Sequence, residues 1–145
     1  MKCWRSTVSE ANRPLLDRID IHVEAPAVPF KELSRGATGK PATPGTTTAQ
    51  MRDAVGIATE RQRARQGPML TNSRLSGKQL DEFARLDERT MTLLGDAMGQ
   101  LKLSARAYDK IRRVSRTLAD LEASDRVKDH HVLEAIQYRL LDRKA

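Results

Sequence analysis

The sequence predicts a mainly α-helical bundle preceded by one short N-terminal strand. Hydrophobic residues make up 39% of the 145-residue chain but aromatic residues only 3%. A core must therefore be built from Leu, Ile, Val, Ala and Met, a set that suits helices better than a β-sandwich. Apolar residues recur at spacings of three and four through much of residues 49–145, whereas residues 19–23 alternate apolar and polar side chains as a strand does.

The charge and cysteine content limit the classes of partner and compartment. The chain has 26 Lys and Arg against 19 Asp and Glu, a formal net charge of +7. This excess suggests a polyanionic partner such as nucleic acid or a nucleotide phosphate, although a solvated helical surface explains it equally well. The single cysteine, Cys3, excludes an internal disulfide and suits a cytoplasmic location. No apolar run approaches the roughly 18 residues of a membrane span, so we expect no membrane partner.

The N-terminal stretch 14–24 joins a charged turn to the predicted strand. Arg18 lies in that turn, directly after Asp17. On a rigid element, its planar guanidinium could neutralise charge developing on a transferring phosphoryl group. The alternative is a surface ion pair between Asp17 and Arg18, worth about 0–1 kcal/mol, and the spacing alone favours this simpler interpretation.

A Gly-, Pro- and Thr-rich stretch follows and predicts a flexible linker. Within it, Gly39-Lys40 lacks the spacing of a phosphate loop, and Pro41 stands where that motif needs a hydroxyl. We therefore do not expect this stretch to hold a nucleotide. The predicted divisions are an N-terminal part, the linker and a helical domain, at residues 1–34, 35–48 and 49–145.

Five helices are predicted after the linker from apolar stripes and end signals. They are a helix over 49–66 that ends at Gly67-Pro68, a short one with a capping box of Ser76 and Gln79, one capped by Asp87, one over 104–122 capped by Ser104, and one capped by Asp129 that buries Val132, Leu133, Ile136 and Leu140. The first helix is expected to bury the face formed by Met51, Ala54, Val55 and Ala58. The fourth helix is expected to bury the face formed by Ala107, Ile111, Val114, Leu118 and Leu121.

Basic residues cluster on helix 104–122. At about 100° per residue, Arg106, Lys110 and Arg113 share one flank, roughly 90° from the apolar stripe. Two further arginines, Arg112 and Arg116, are expected to point the opposite way, toward solvent.

Arg106 lies in the first turn of that helix, where backbone N–H groups favour anions and a basic side chain is mildly unfavourable. Such a conflict can mark a phosphate contact. An ordinary pairing of Asp109 with Arg113 accounts for part of the same cluster.

His130 and His131 are adjacent, so on a helix they are not expected to face the same point. No cysteine or third histidine lies at ligand spacing, so no metal site is predicted and both are interpreted as polar residues of a first helical turn.

Several segments, in order, resemble the C-terminal part of magnesium-chelatase-like AAA+ ATPases of the competence-associated ComM/YifB type. The matching segments are PLLDRIDIHVE at 14–24, NSRLSGK at 72–78, LSARAYDKI at 103–111, RTLADL at 116–121 and AIQYR at 135–139.

The resemblance implies that residues 14–24 are the last strand of an AAA+ core and that 49–145 form its helical lid. It implies that Arg18 is an arginine finger acting in trans on a neighbour's ATP, and that Arg106 is the sensor-2 arginine reaching the ATP phosphates of its own subunit. The parent would be a ring-forming motor that needs ATP and magnesium, with the rest of the core and neighbouring subunits as partners. In the ComM branch it would remodel DNA, whereas magnesium chelatases insert a metal into a porphyrin.

The sequence also departs from the family pattern. The phosphate loop, the Walker-B acids and sensor 1 are expected before residue 13 and are absent from this sequence, and Arg13 stands where glycine is usual. We therefore expect this chain to hydrolyse no ATP alone and to bind neither ATP nor magnesium alone. One alternative is a free-standing basic helical DNA-binding module, although the turn between its last two helices is longer than that of a helix-turn-helix. Another is a structural relic with no activity.

Overall fold

The computed structural model describes residues 18–23, 25, 27, 30 and 45–139, and the continuous range 45–139 is predominantly helical. The elements are α1 Thr48–Gln66, a 3₁₀ helix Asn72–Arg74, α2 Lys78–Phe83, α3 Glu88–Leu101, α4 Ala105–Leu121 and α5 Asp129–Gln137. The predicted mainly α-helical bundle is confirmed, and all five predicted helices form. Among the described residues, no helix combines the length and the apolar character that crossing a membrane requires.

The central element of the bundle is α4. It packs against α1, the 3₁₀ helix, α2 and α5, and α3 packs against α5. The main core is aliphatic and consists of Leu86, Leu94, Ile111, Ala119, Val127, Val132, Ala135 and Ile136. A smaller cluster around α2 consists of Leu75, Leu80 and Ala84. Because α4 has neighbours on opposite sides, it is buried on more than its apolar stripe.

Three of the predicted helix-end signals are confirmed. Gly67 follows α1 with φ 85°, a conformation that glycine adopts without steric cost. The Asp87 side chain accepts the Thr90 N–H at 2.8 Å and caps α3. The Ser104 hydroxyl accepts the Ala107 N–H at 3.2 Å and fixes the start of the central helix.

The other two predicted caps are wrong. The residue before α2 is Gly77, which has no side chain to cap the helix, so Ser76 lies one position too early. Asp129 is the first residue of α5, and Lys128 occupies the cap position. The Asp129 carboxylate instead accepts a hydrogen bond from the buried Thr90 hydroxyl at 2.6 Å, so a tertiary contact has replaced local capping.

Three predicted buried faces are only partly buried. On α4, Leu121 at the end of the predicted stripe is 46% exposed, whereas Ala107 and Ile111 are buried. Of the α1 face, Ala58 is buried, whereas Met51 and Val55 are 55% and 58% exposed. Every residue of the first half of α1 is exposed, so the part of the helix that packs on α4 is its second half. In α5, Leu133 is 47% exposed, whereas its predicted companions Val132 and Ile136 are buried.

The predicted strand does not form in the described residues 18–23. A strand needs a ladder of backbone hydrogen bonds to a neighbour. Among the described residues, this segment instead makes a backbone bond from the His22 N–H to the Tyr138 carbonyl, in the turn after α5. Predictions for residues 1–17, and most of the predicted linker, lie outside the described residues. The end of that linker contains Thr47, which caps α1 through a reciprocal capping box with Gln50.

Candidate phosphate-facing surface

Residues 18–23, here called the N-terminal segment, lie against the end of the bundle formed by α4 and the residues after α5. Three contacts hold the segment there: an ion pair of Asp20 with Lys110, a hydrogen bond from the His22 N–H to the Tyr138 carbonyl, and one from the Arg139 guanidinium to the Ile19 carbonyl. The first joins Lys110 Nζ to Asp20 Oδ1 at 2.6 Å. Two of the three contacts use the backbone of the segment, so they fix its path rather than one side chain.

Arg18 is the first described residue of the N-terminal segment, and it is exposed. It directly precedes Ile19, whose carbonyl is bonded to the fully buried Arg139. Its backbone is thus anchored next to a rigid point while its side chain reaches solvent. This is the arrangement that a guanidinium needs in order to contact a group outside its own chain.

Arg106 is the second residue of α4 and is also exposed. The first turn of α4 contains no acidic residue, so its N–H groups and the Arg106 guanidinium together form a positive helix end. The other two basic residues of the predicted flank contact neighbouring parts of the chain: Lys110 pairs with Asp20, and Arg113 Nε donates to the Leu75 carbonyl at 2.7 Å.

The predicted pairing of Asp109 with Arg113 is present, but at 3.9 Å it is loose.

The ion pair of Lys110 with Asp20 joins the two stretches of chain that carry the predicted site arginines, Arg106 and Arg18. Lys110 follows Arg106 by one turn of α4, and Asp20 follows Arg18 by two residues. The sequence places these residues at opposite ends of the chain. The ion pair is a contact that links these two stretches directly.

Arg112 and Arg116, expected to face solvent, are 4% and 2% exposed. The prediction fails because the side of α4 opposite its apolar stripe is covered by other elements. Arg112 donates to Asp81 at 2.9 Å and to the Leu80 and Ala84 carbonyls at 2.8 and 3.3 Å. Its guanidinium therefore pairs the Ala84 carbonyl just after α2, and it adds a second hydrogen bond to the Leu80 carbonyl, which already accepts the Ala84 N–H.

Asp120 is the centre of a buried polar network that joins α1, the 3₁₀ helix and α4. Its carboxylate accepts from Arg65 at 2.6 and 2.8 Å, from Asn72 at 2.8 Å and from Arg116 at 2.9 Å. Burial opposes ionisation of Asp120, but the hydrogen bonds from Arg65 and Asn72 and the charge of Arg116 outweigh it and lower the pKa of this carboxyl. Both oxygens of the Asp120 carboxylate each accept two hydrogen bonds within the bundle, so the network fixes the helices.

Sequence reasoning missed this network as a unit. Arg116 and Asp120 have the i, i+4 spacing of a helical ion pair, which was the available signal. The contribution of Arg65 and Asn72 comes from tertiary packing and has no local signature.

His130 and His131 both contact one carboxylate oxygen of Glu122, contrary to the expectation that adjacent histidines point to different places. The Nε2 of His130 lies 2.6 Å from Glu122 Oε2. Hydrogen bonds from His130 and His131 lower the pKa of Glu122 to about 2. Glu122 follows the last residue of α4, so the carboxylate bridges the end of one helix and the start of the next.

The three side chains have the composition of a metal site, but the hydrogen bonding of His131 argues against one. The Lys128 N–H donates to His131 Nδ1 at 3.0 Å, so Nε2 carries the proton and donates it to Glu122. Neither nitrogen of the neutral ring then has a lone pair to offer to a metal ion. A metal-bound histidine usually donates from its second nitrogen, the reverse of this arrangement.

The cleft between the N-terminal segment and α4 has a volume of about 420 Å³. Its walls are mainly aliphatic, from Ile21, Val23, Leu118 and Leu121, and the cation that it contains, Arg113, is already bonded to the Leu75 carbonyl. A nucleotide phosphate needs N–H donors and uncommitted cations. The cleft therefore does not suit phosphate, and the candidate contacts are the two exposed arginines that the sequence predicts, Arg18 and Arg106.

A helical domain is the structure that the ATPase resemblance implies for residues 49–145, and the described part of that range is helical. The profile of the family described as magnesium chelatase, subunit ChlI C-terminal, matches residues 45–139. The chain therefore belongs to this family.

Several curated proteins are similar over most of the chain. The protein YifB of Salmonella typhimurium and the competence protein ComM of Haemophilus influenzae are each 35% identical over 130 residues, which is 90% of this chain and 24% of theirs. A protein of Mycobacterium tuberculosis is 32% identical over 137 residues, 93% of this chain and 26% of its own length. The chain thus spans about a quarter of the relatives that it matches.

Proposed function

We propose that this chain is the C-terminal lid of a magnesium-chelatase-like AAA+ ATPase, with two arginines that contact ATP in a ring. Arg106 reaches the phosphates of the ATP bound to its own subunit. Arg18 completes the site of a neighbouring subunit. The observation that carries the proposal is the position of Arg106, exposed in the first turn of α4 with no acidic residue beside it in that turn.

The chemistry supports these roles. An arginine finger acts by placing a fixed positive charge where negative charge develops on the transferring phosphoryl group. Arg18 is exposed directly beside a backbone anchored by Arg139, so its approach to a neighbour would be defined. Arg106 lies beside helix N–H groups that favour anions.

Hydrolysis would need parts that this chain does not supply. We propose that the phosphate loop and the carboxylates that hold magnesium belong to the portion of the parent that this chain does not span. The relatives are about four times as long as the matched region, which leaves room for such a core. ATP and magnesium are thus cofactors of the assembly, with the rest of the core and adjacent subunits as partners.

The test is a chimera of the Haemophilus influenzae ComM protein in which this chain replaces the region that it matches. We expect magnesium-dependent ATP hydrolysis, with Arg18→Ala and Arg106→Ala each lowering kcat by at least about tenfold. Arg85→Ala, which changes an exposed arginine between α2 and α3, is the control and should leave kcat unchanged. Unaltered hydrolysis in both site variants would overturn the proposal.

Mixing the two variants tests which subunit each arginine serves. A site formed by an Arg18→Ala subunit, which keeps Arg106, and a neighbouring Arg106→Ala subunit, which keeps Arg18, has both arginines. Mixed rings should therefore regain part of the activity that either variant alone lacks. For this chain alone we expect no hydrolysis. Magnesium-dependent activity that Arg106→Ala abolishes in the isolated chain would contradict the requirement for a separate core.

We also propose that the parent motor acts on DNA, which the resemblance to the ComM branch implies and the net charge of +7 supports.

A free-standing DNA-binding module is the weaker alternative. Helix α5, which would have to read the groove, contains no lysine or arginine, and Arg112 and Arg116 are buried rather than available to phosphates. Gel shifts with duplex DNA at increasing salt separate the two: strong, salt-sensitive binding by this chain alone favours the module.

A further inference from the structure

We propose that Lys110 is a positioning residue that latches the N-terminal segment to α4, so that Arg18 and Arg106 move as one unit. The inference rests on the proposed function of these two arginines. It adds a connection within one subunit between the residue that senses its own ATP and the residue that acts on the neighbour's ATP.

The latch is the ion pair between Lys110 Nζ and Asp20 Oδ1 at 2.6 Å. The Lys110 side chain is 12% exposed and that of Asp20 is 51% exposed. A largely buried ammonium requires a partner, and Asp20 provides it. Because the Asp20 side chain is half exposed, the pair adds only modestly to the two backbone contacts that also hold the segment.

Two further contacts hold the N-terminal segment on either side of the latch. The Arg139 guanidinium holds the Ile19 carbonyl, and the Tyr138 carbonyl accepts the His22 N–H at 2.8 Å. Asp20 lies between these two anchored residues. The segment is therefore fixed on both sides of the latch to the end of α5, and at the latch itself to α4.

The position of Lys110 on α4 connects the latch to the sensing residue. Lys110 follows Arg106 by one helical turn, on the same flank, and α4 is the helix around which the bundle packs. A rigid helix transmits a rotation from its first turn to the next with little loss. When ATP draws Arg106 toward its phosphates, α4 rotates. This rotation moves Lys110, and with it Asp20 and the backbone that carries Arg18.

The latch is first tested on this chain by hydrogen exchange of the His22 amide. Lys110→Met removes the charge but keeps the apolar stem, and we expect about two- to fivefold faster exchange. Lys110→Arg should retain protection, as should the charge reversal of Asp20→Lys with Lys110→Asp. Lys128→Met is the control because Lys128 is exposed before α5. Unchanged protection in Lys110→Met would overturn the latch.

The coupling is then tested in the ComM chimera. We expect Lys110→Met to lower kcat about tenfold while the affinity for ATP is unchanged, since a misplaced Arg18 affects the reaction rather than binding. The charge reversal should recover kcat, which a merely structural lysine would not allow.

Normal kcat in Lys110→Met, with Arg18→Ala still impaired, would overturn the coupling alone. If Arg18→Ala and Arg106→Ala are both fully active, the proposed function fails and the coupling fails with it.

Discussion

Arg116 and Asp120 lie one turn apart on α4 and form an ion pair with 2.9 Å between Nη2 and Oδ1, although their side chains are only 2% and 1% exposed. Removing two charges from water is costly, and additional hydrogen bonds must compensate. Asp120 receives them from Arg65 and Asn72, and Arg116 donates to the Ser124 and Asp125 carbonyls at 2.7 and 2.9 Å. The pair is therefore the point at which three elements of the bundle are fixed together.

We expect Asp120→Ala to lower the free energy of unfolding by about 3–5 kcal/mol. The substitution leaves the guanidiniums of Arg65 and Arg116 without their shared carboxylate, and Arg116 stays almost fully buried. Urea denaturation followed by circular dichroism measures the change.

The matched control is Asp125→Ala. Asp125 also pairs with an arginine of α1, Arg61, but its side chain is 95% exposed, so the loss should be about 0–1 kcal/mol. Equal losses for Asp120→Ala and Asp125→Ala would show that burial of the network contributes nothing.

Periodicity and end signals predicted the helices well because both are local. The helix expected over 104–122 is found at Ala105–Leu121, with Ser104 as its cap, and the one expected over 49–66 is found at Thr48–Gln66. Asp87 was likewise recognised because a cap depends on the three residues that follow it. The family resemblance came from short segments in order and is confirmed by the match over 45–139.

The sequence did not predict that charged side chains of α4 are buried. A helix with one apolar stripe was expected to face solvent on its other side, but α4 is covered there, so Arg112 and Arg116 are internal. The strand failed for a related reason: alternation at 19–23 indicates extended chain, but a strand also needs a pairing partner, and the segment bonds to Tyr138 instead. Whether Arg18 and Arg106 contact ATP stays a prediction.

A second expected outcome concerns Arg112 and the end of α2. We expect Arg112→Lys to cost about 1–3 kcal/mol, because an ammonium lacks the planar fork that reaches Asp81 and two carbonyls at once. Hydrogen exchange should rise first in residues 78–84. Arg89→Lys changes an exposed arginine and should change neither stability nor exchange in α2; similar effects from both would contradict the assigned role.

A third outcome concerns the cap of the central helix. Ser104→Ala should lower the free energy of unfolding by about 1 kcal/mol, and Ser104→Gly by only a few tenths, because the hydroxyl accepts the Ala107 N–H. Thermal unfolding of the three proteins measures the order. A glycine variant less stable than the alanine variant would show that backbone freedom, and not the lost hydrogen bond, dominates at this position.

The fourth outcome is a pH dependence due to His131, which is 2% exposed. Burial lowers the pKa of His131 below the ordinary histidine value of 6.5, although the hydrogen bond to Glu122 opposes this. Near that pH the unfolded chain therefore binds the proton more readily than the folded chain. The free energy of unfolding should fall as the pH decreases below about 6.5, until the folded pKa is reached. Glu122, whose pKa is about 2, stays ionised throughout this window.

His131→Gln should flatten this pH dependence, since it keeps a polar side chain but removes the titrating ring. The reason is local: protonation of Nδ1 would place a second N–H against the Lys128 N–H that now donates to it, and so would break a hydrogen bond at the start of α5. His130→Gln, which changes the exposed neighbour, is the control and should retain the slope. Urea denaturation between pH 5 and pH 8, at about half-unit steps, measures both. A slope that persists in His131→Gln and disappears in His130→Gln would show that the pH dependence comes from His130. It would also contradict the tautomer of His131 that argues against a metal ion beside Glu122.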